Sequence, residues 1–319
     1  MKRLNSEVRL AYAFIAPAAL VMAVITVYPL LFGIWMAFTN YNPTHIRGHL
    51  PRFVGLQNFI DILRHAPYLD FDFARVLGFN FLWTFANLIF HVTVGVGLAL
   101  LLNQPGLKGV KLYRALLILP WAVPTYVTSL VWRNMFDPEA GAINLLLKQL
   151  AATFETWHER FAWMPDLGSA WTSLDWLGTM PSAFFAVLTV NIWLGFPFMM
   201  MVASGALQAI PSDLYEAADL DGANPLQRFL TVTVPMLRPA MIPAILLGFI
   251  WTFNNFNVIY FVTKGDPLGQ TQILITQAYK LVDGGLYGVG AAFAVVIFFI
   301  LLAISTVNSR LTRAVEENA

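Results

Sequence analysis

The chain has 319 residues, 58% of them hydrophobic and 12% charged, against roughly 25% charged in soluble domains. Mean hydropathy is +0.65 and the formal net charge is +1, so lipid is its main solvent and neither nucleic acid nor an acidic ligand is indicated. With no cysteine, disulfides and thiol chemistry are excluded.

A bilayer crossing needs about 20 mostly apolar residues. Six stretches meet that length. The first, 11–38, follows the charged start MKRLNSEVR. A cleavable signal sequence has an apolar core of about 7–15 residues, and this run continues to Phe38, so a retained span is expected. The loop 39–78 is too short for a sizeable extra domain. Spans 79–103 and 115–135 are separated by a short basic turn with Lys108, Lys111 and Arg114. Span 79–103 contains His91, the one histidine of five at membrane depth, where a packing or hydrogen-bonded role is expected. Trp121, Thr125 and Thr128 share one helical face of the third span, with Ser129 beside them. Pro120 and Pro124 are expected to bend it and to free carbonyls that need a polar lining.

The loop 136–182 carries Trp157, Trp163, Trp171 and Trp176, suited either to a docking surface or to interfacial anchoring. In the fourth span, 183–208, Asn191, Leu194, Gly195 and Phe198 are spaced i, i+3, i+4 and i+7, again one face, and Pro197 is expected to bend the helix. A polar segment, DLYEAADLDGANPLQRFLTVTVPMLRPA, then separates two spans. Ser212 is expected to cap a short helix with Asp213 in its first turn. Gly222 should end that helix, Asn224-Pro225 should start a second, and Pro235 should mark a break before the fifth span. In the fifth span, 237–262, Gly248, Thr252 and Asn255 are spaced i, i+4 and i+7. Asn254 and Asn257 point away from that face and are expected to pack between helices. The loop 263–286 and a sixth span, 287–309, complete an all-α polytopic membrane protein, expected to form a single domain over 1–319.

With six spans, both termini and the segments 104–114 and 209–236 share a side. Lys2, Arg3, Arg9, Lys108, Lys111, Arg114, Arg228, Arg238, Arg310 and Arg313 lie in or beside them. The remaining cations are spread over loops nearly twice as long, which places both termini in the cytoplasm. Polar residues at membrane depth are functional candidates. Amides, hydroxyls, aromatic planes and glycine gaps on three faces suit a sugar, because amides both donate and accept and rings cover the C–H face of a pyranose. No G-x-x-x-x-G-K-[ST] stretch cradles a nucleotide, no metal-ligand spacing occurs, and no nucleophile–base set is evident. Spans two to six have no Asp or Glu in their apolar cores, which disfavours the alternative of an ion-coupled transporter.

The spacing Glu216-Ala217-Ala218, three residues, Gly222, nine residues, Val232, one residue, Val234-Pro235 resembles the EAA motif of ABC importer permeases. That motif reads EAA, three residues, Gly, nine, Ile, one, Leu-Pro. RALLILPWAVPTYV, NIWLGFPFMMMV and FNNFNVIYFVTKGDP resemble the larger membrane subunits of bacterial maltose/maltodextrin importers from about Arg114 onward, and VGLQNF at 54–59 resembles sugar permeases generally. The resemblance implies a type I importer permease fold in a reduced six-span form. It implies that Glu216, Ala217, Ala218, Asp221 and Gly222 dock as a coupling helix on an ATPase. It also implies sugar contacts from Trp121, Asn191, Leu194, Gly195, Phe198, Gly248, Thr252 and Asn255. Trp121 stands where relatives place Tyr, Gly248 where there can be Ser, and Thr252 where there can be Asn. The implied partners are a second homologous membrane subunit, two ATPase subunits that bind ATP and Mg, and an extracytoplasmic sugar-binding protein. Maltose or maltodextrin is the implied substrate, another disaccharide or glycerol phosphate the alternative.

Overall fold

In the computed structural model residues 6–160 and 174–316 are described, and they are helical apart from turns and one isolated bridge between Thr39 and Phe53. The helices are α1 Ser6–Met22, α2 Tyr28–Ala37, α3 Pro43–Ile46, α4 Gln57–Arg64, α5 Phe73–Leu102, α6 Val110–Ala122, α7 Thr125–Met135, α8 Ala142–Arg160, α9 Ser182–Gln208, α10 Ser212–Leu220, α11 Pro225–Arg228, α12 Val234–Phe253, α13 Phe256–Val262, α14 Leu274–Asp283 and α15 Tyr287–Glu316. Five helical runs are long and apolar enough to cross a membrane: Val8–Ala37, Phe73–Leu102, Ser182–Gln208, Pro225–Val262 and Tyr287–Thr306. A sixth arises if α6 and α7 count as one span.

The third span is bent, as expected from its prolines, by 92° between the two helices. The bend lies at Val123-Pro124. A residue before proline is pushed out of the helical region, and Val123 is extended, with φ −86° and ψ 136°. The helices continue through Pro120 and Pro197. The first and fifth runs accommodate Pro29 and Pro235 differently, through single π-helical turns at Ala23–Val27 and Phe229–Thr233. Tyr28 N–H donates to Ala23 O and Val234 N–H to Phe229 O, five residues back, so each helix carries on where a proline has removed a donor. The break expected at Pro235 is therefore absent. One that was not expected appears after Phe253: Asn254 leaves the helix and Asn255 caps α13.

The chain sorts into two compact units, one up to Phe73 together with Gln277–Ile300, the other Ala74–Thr276 together with residues from Leu301 on. In the first, Asn58 Nδ2 donates to Ala37 O and Thr39 O at 2.8 Å each, satisfying carbonyls at the end of α2. Phe293 takes the edges of Phe71 and Phe73. In the second unit, α9 is the central element. Its residues Ala186, Val187, Val190 and Leu194 pack with Trp83, Val258, Ile259 and Ile273, while Met199, Met200, Ala203 and Leu207 pack with Ala99, Leu237, Met241 and Ala244. Helix α5 meets α9 at Gly95, where a Cβ would lie 2.6 Å from Met199 Cβ and 2.8 Å from the Met200 backbone nitrogen. Close approach through small residues is how membrane helices pack without a hydrophobic force between them. Gly95→Ala is expected to destabilise the fold by about 1–3 kcal/mol, as overpacking does, read as a lowered melting temperature in detergent.

Candidate functional site: a polar cavity and an exposed coupling segment

Helices α5, α6, α7, α9, α12 and α13 enclose a cavity of about 560 Å³. Trp121, Asn191, Leu194 and Gly195 line it, as do Phe198, Gly248, Thr252 and Asn255, so the structure brings together all eight residues singled out as sugar contacts. They meet for a reason other than the spacing. Gly248, Thr252 and Asn255 do not share one helical face, because the helix ends at Phe253 and Asn255 lies beyond the break. The same break turns Asn254 and Asn257 toward the cavity instead of away from it. Thr125 also lines the cavity, whereas Thr128 and Ser129 are buried and Ser129 Oγ donates back to Thr125 O at 2.8 Å.

Asn191 is the hub of the polar wall. It is 2% exposed, and its Oδ1 accepts from Asn255 Nδ2 at 2.6 Å. His91 Nε2 lies 2.8 Å from Asn191 O; a carbonyl can only accept, so Nε2 carries the proton and donates. Among the described residues Asn191 Nδ2 has no hydrogen-bond partner, leaving a buried donor on a residue that lines the cavity. Gly195 makes room for His91, since a Cβ there would run into the imidazole. Opposite chemistry comes from three rings: Phe198 lies 6.2 Å from Trp121 and 5.1 Å from Trp251, both half-exposed and both on the lining. The wall thus offers amides and the threonines Thr125 and Thr252 alongside flat apolar surface, and no Lys, Arg, Asp or Glu lines it. Among the described residues no group of His, Asp or Glu could hold a metal.

Between α9 and α12 the polar segment folds as two short helices. Pro211, not Ser212, occupies the N-cap position, extended at ψ 136°, and Ser212 is the first helical residue; Asp213 is in the first turn as expected. Gly222 ends α10 at φ +75°, and Ala223 N–H donates to Ala218 O at 3.0 Å. Asn224 and Gln227 form a reciprocal capping box at 2.8 and 2.9 Å, with Pro225 in the first turn of α11. Arg228 Nη1 bonds Asp219 at 2.7 and 2.9 Å, and Tyr215 Oη and Thr233 Oγ1 are 3.0 Å apart. These links hold the two helices to one another and to the turn that leads into α12. Glu216, Ala217, Asp221 and Gly222 are exposed and Ala218 half-buried, while Leu220 is 89% and Leu226 66% exposed. Of the tryptophans in the loop 136–182, Trp163 and Trp171 fall outside the described residues, as does the side chain of Trp157. Trp176 packs on Phe136 and donates through Nε1 to Asn144 Oδ1 at 3.0 Å, a structural role.

Residues 91–316 match the family of binding-protein-dependent transport system inner membrane components. The chain belongs to that family. Its fold is that of ABC importer permeases: a chain in the crystal structure of a bacterial ABC transporter involved in the import of the acidic polysaccharide alginate superposes with a TM-score of 0.76. The match covers 96% of this permease and 95% of that chain at 19% identity, which shows a shared fold. The maltodextrin transport system permease protein MdxF of Bacillus subtilis is 36% identical over 95% of the permease and 69% of its own length. The trehalose/maltose transport system permease protein MalF of Thermococcus litoralis is 32% identical over 96% of the permease and 95% of its own length.

The expected packing role of Asn254 and Asn257 presumes an unbroken fifth helix, and Trp251, inside α12, is a lining residue with no motif to mark it. The sequence signal for the break is the cluster of three asparagines in four residues, each prone to leave a helix. Gly195→Val is expected to displace His91 from the Asn191 carbonyl and to lower stability by about 1–3 kcal/mol, checked by thermal unfolding in detergent.

Proposed function

We propose that this permease forms one membrane half of an ATP-driven, binding-protein-dependent importer of maltose or maltodextrins. The observation that carries the substrate class is the uncharged cavity, whose lining joins the free Nδ2 donor of Asn191 and further amides to the rings of Trp121, Phe198 and Trp251. The relatives named above, a maltodextrin and a trehalose/maltose permease, support a neutral glucose-based glycan. Trehalose is the second reading, favoured by the relative that matches over nearly its full length. Glycerol phosphate is disfavoured, because a phosphate calls for Lys or Arg and none lines the cavity. In this reading Trp121, Asn191, Leu194, Gly195, Phe198, Gly248, Thr252 and Asn255 contact the sugar.

The segment from Ser212 to Pro235 is the surface on which an ATPase subunit docks, through Glu216, Ala217, Ala218, Asp221 and Gly222. Exposed leucines beside a rigid, internally bonded turn support that role, since force applied there passes into α12 and not into a loose loop. A second homologous membrane subunit completes the pathway, two ATPase subunits bind ATP and Mg, and an extracytoplasmic sugar-binding protein delivers the cargo. The protein sits in a bacterial cell membrane with both termini cytoplasmic and functions as a single membrane domain.

The test is ATP hydrolysis by the complex reconstituted in liposomes with its binding protein, against maltose, maltotriose, trehalose, sucrose and glycerol phosphate. Stimulation by maltose or maltotriose is expected. Stimulation by trehalose alone would move the assignment to the second reading, and uptake that follows an ion gradient without ATP would overturn the importer class. Glu216→Lys is expected to lower sugar-stimulated turnover about a hundred-fold or more, the consequence of breaking a charge pair buried at an interface, while the melting temperature stays unchanged.

A further inference from the structure

Helix α12 stops inside the cavity wall, and the carbonyls at its end are bonded from α5. Trp83 Nε1 donates to Thr252 O at 3.0 Å and Asn80 Nδ2 donates to Phe253 O at 3.1 Å; both side chains are fully buried. Asn80 has a second attachment. Its Oδ1 accepts from Leu274 N–H at 2.8 Å, one of the donors left unpaired at the start of α14. One amide therefore joins the break that presents Thr252, Asn254, Asn255 and Asn257 to the first turn of the next helix.

Between these two points lie α13 and then residues 263–273, a turn closed by its own hydrogen bonds. Thr271 Oγ1 donates to Asp266 O at 2.7 Å and lies 2.9 Å from Thr263 Oγ1, Thr271 N–H donates to Gly265 O at 3.1 Å, and Gln272 Nε2 donates to Lys264 O at 3.1 Å. Leu268 at its tip is 85% exposed. A displacement of such a turn is passed to Leu274 and is not absorbed.

We propose that Asn80 is a positioning residue that locks the turn 263–273 to the break in α12 and thereby holds the cavity amides in their arrangement. The proposal rests on the sugar-import reading only for what the cavity holds. The test is hydrogen–deuterium exchange on the assembled complex, together with a titration by maltotriose. Asn80→Leu keeps the volume and removes both bonds. It is expected to speed exchange about ten-fold in residues 254–258 and 272–276 together, and to weaken maltotriose binding by a similar factor. Trp83→Phe removes only the bond to Thr252 O and is expected to speed exchange at 254–258 alone. If Asn80→Leu does not fold, Asn80→Ser, whose side chain is too short to bond both partners, decides, and unchanged exchange in either segment overturns the proposal.

Asn87→Leu is the control: Asn87 is equally buried on α5, but its Nδ2 donates only to Trp83 O of the same helix, and both segments and the affinity are expected to stay unchanged. The proposal is overturned if Asn80→Leu loosens one segment without the other, if maltotriose binds it as before, or if Asn87→Leu matches it in every readout. A parent complex that binds no glycan would sink the sugar reading instead, and the exchange comparison would still decide the role of Asn80.

Discussion

Backbone groups freed where a membrane helix breaks have no water to turn to, so the protein must bond them itself. Asn80 does this for the carbonyl of Phe253, and Trp83 joins the Asn255 N–H on the carbonyl of Thr252, so the break at cavity depth is bonded from within the protein. The break redirects three asparagines. An unbroken helix would hold Asn254 and Asn257 off the face that carries Thr252; broken, it turns both, with Asn255, to the lining. Asn255 is then free to bond Asn191 and to cap α13 through Val258 N–H. The cavity is a product of that one interruption, stabilised from a neighbouring helix.

Elsewhere the chain spends its prolines on continuity. Pro29 and Pro235 follow π-helical turns that keep their helices going, and Pro120 and Pro197 sit inside α6 and α9. Of these prolines and Pro124, Pro124 produces the sharp bend, because Val123 before it is extended. The outcome is a polar segment joined without interruption to α12. Tyr215 meets Thr233, Arg228 holds Asp219, and the π turn leads directly into the helix whose far end lines the cavity. An exposed ion pair of this kind is worth at most about 1 kcal/mol, so its contribution is geometric: it sets the angle between two short helices. The exposed polar segment and the cavity are then joined through one helix.

Much was legible in the residues alone. Apolar runs of membrane length gave the spans, since the bilayer sets that length regardless of tertiary contacts. The turn chemistry of the polar segment was equally local: Gly222 takes φ +75°, and Asn224-Pro225 with Gln227 caps a helix, because capping depends on neighbours in the chain. The polar residues that gather at the cavity could be picked out because amides and hydroxyls at membrane depth require a partner or a cavity.

Tertiary structure decided the rest. Whether a proline bends a helix, widens one turn or passes unnoticed depends on what can bond the carbonyl it orphans, and periodicity says nothing of that. The break at Asn254-Asn255 is set by donors at positions 80 and 83, far away in sequence, so an i, i+4, i+7 count placed Asn255 on the right surface by the wrong geometry. The amino-acid sequence by itself determined which runs are apolar enough for lipid, where the polar segment turns and which polar groups need a home. Only the packing of α5 against α9 and α12 decided that this home is one cavity, because bonding a freed carbonyl requires a donor brought in from another helix.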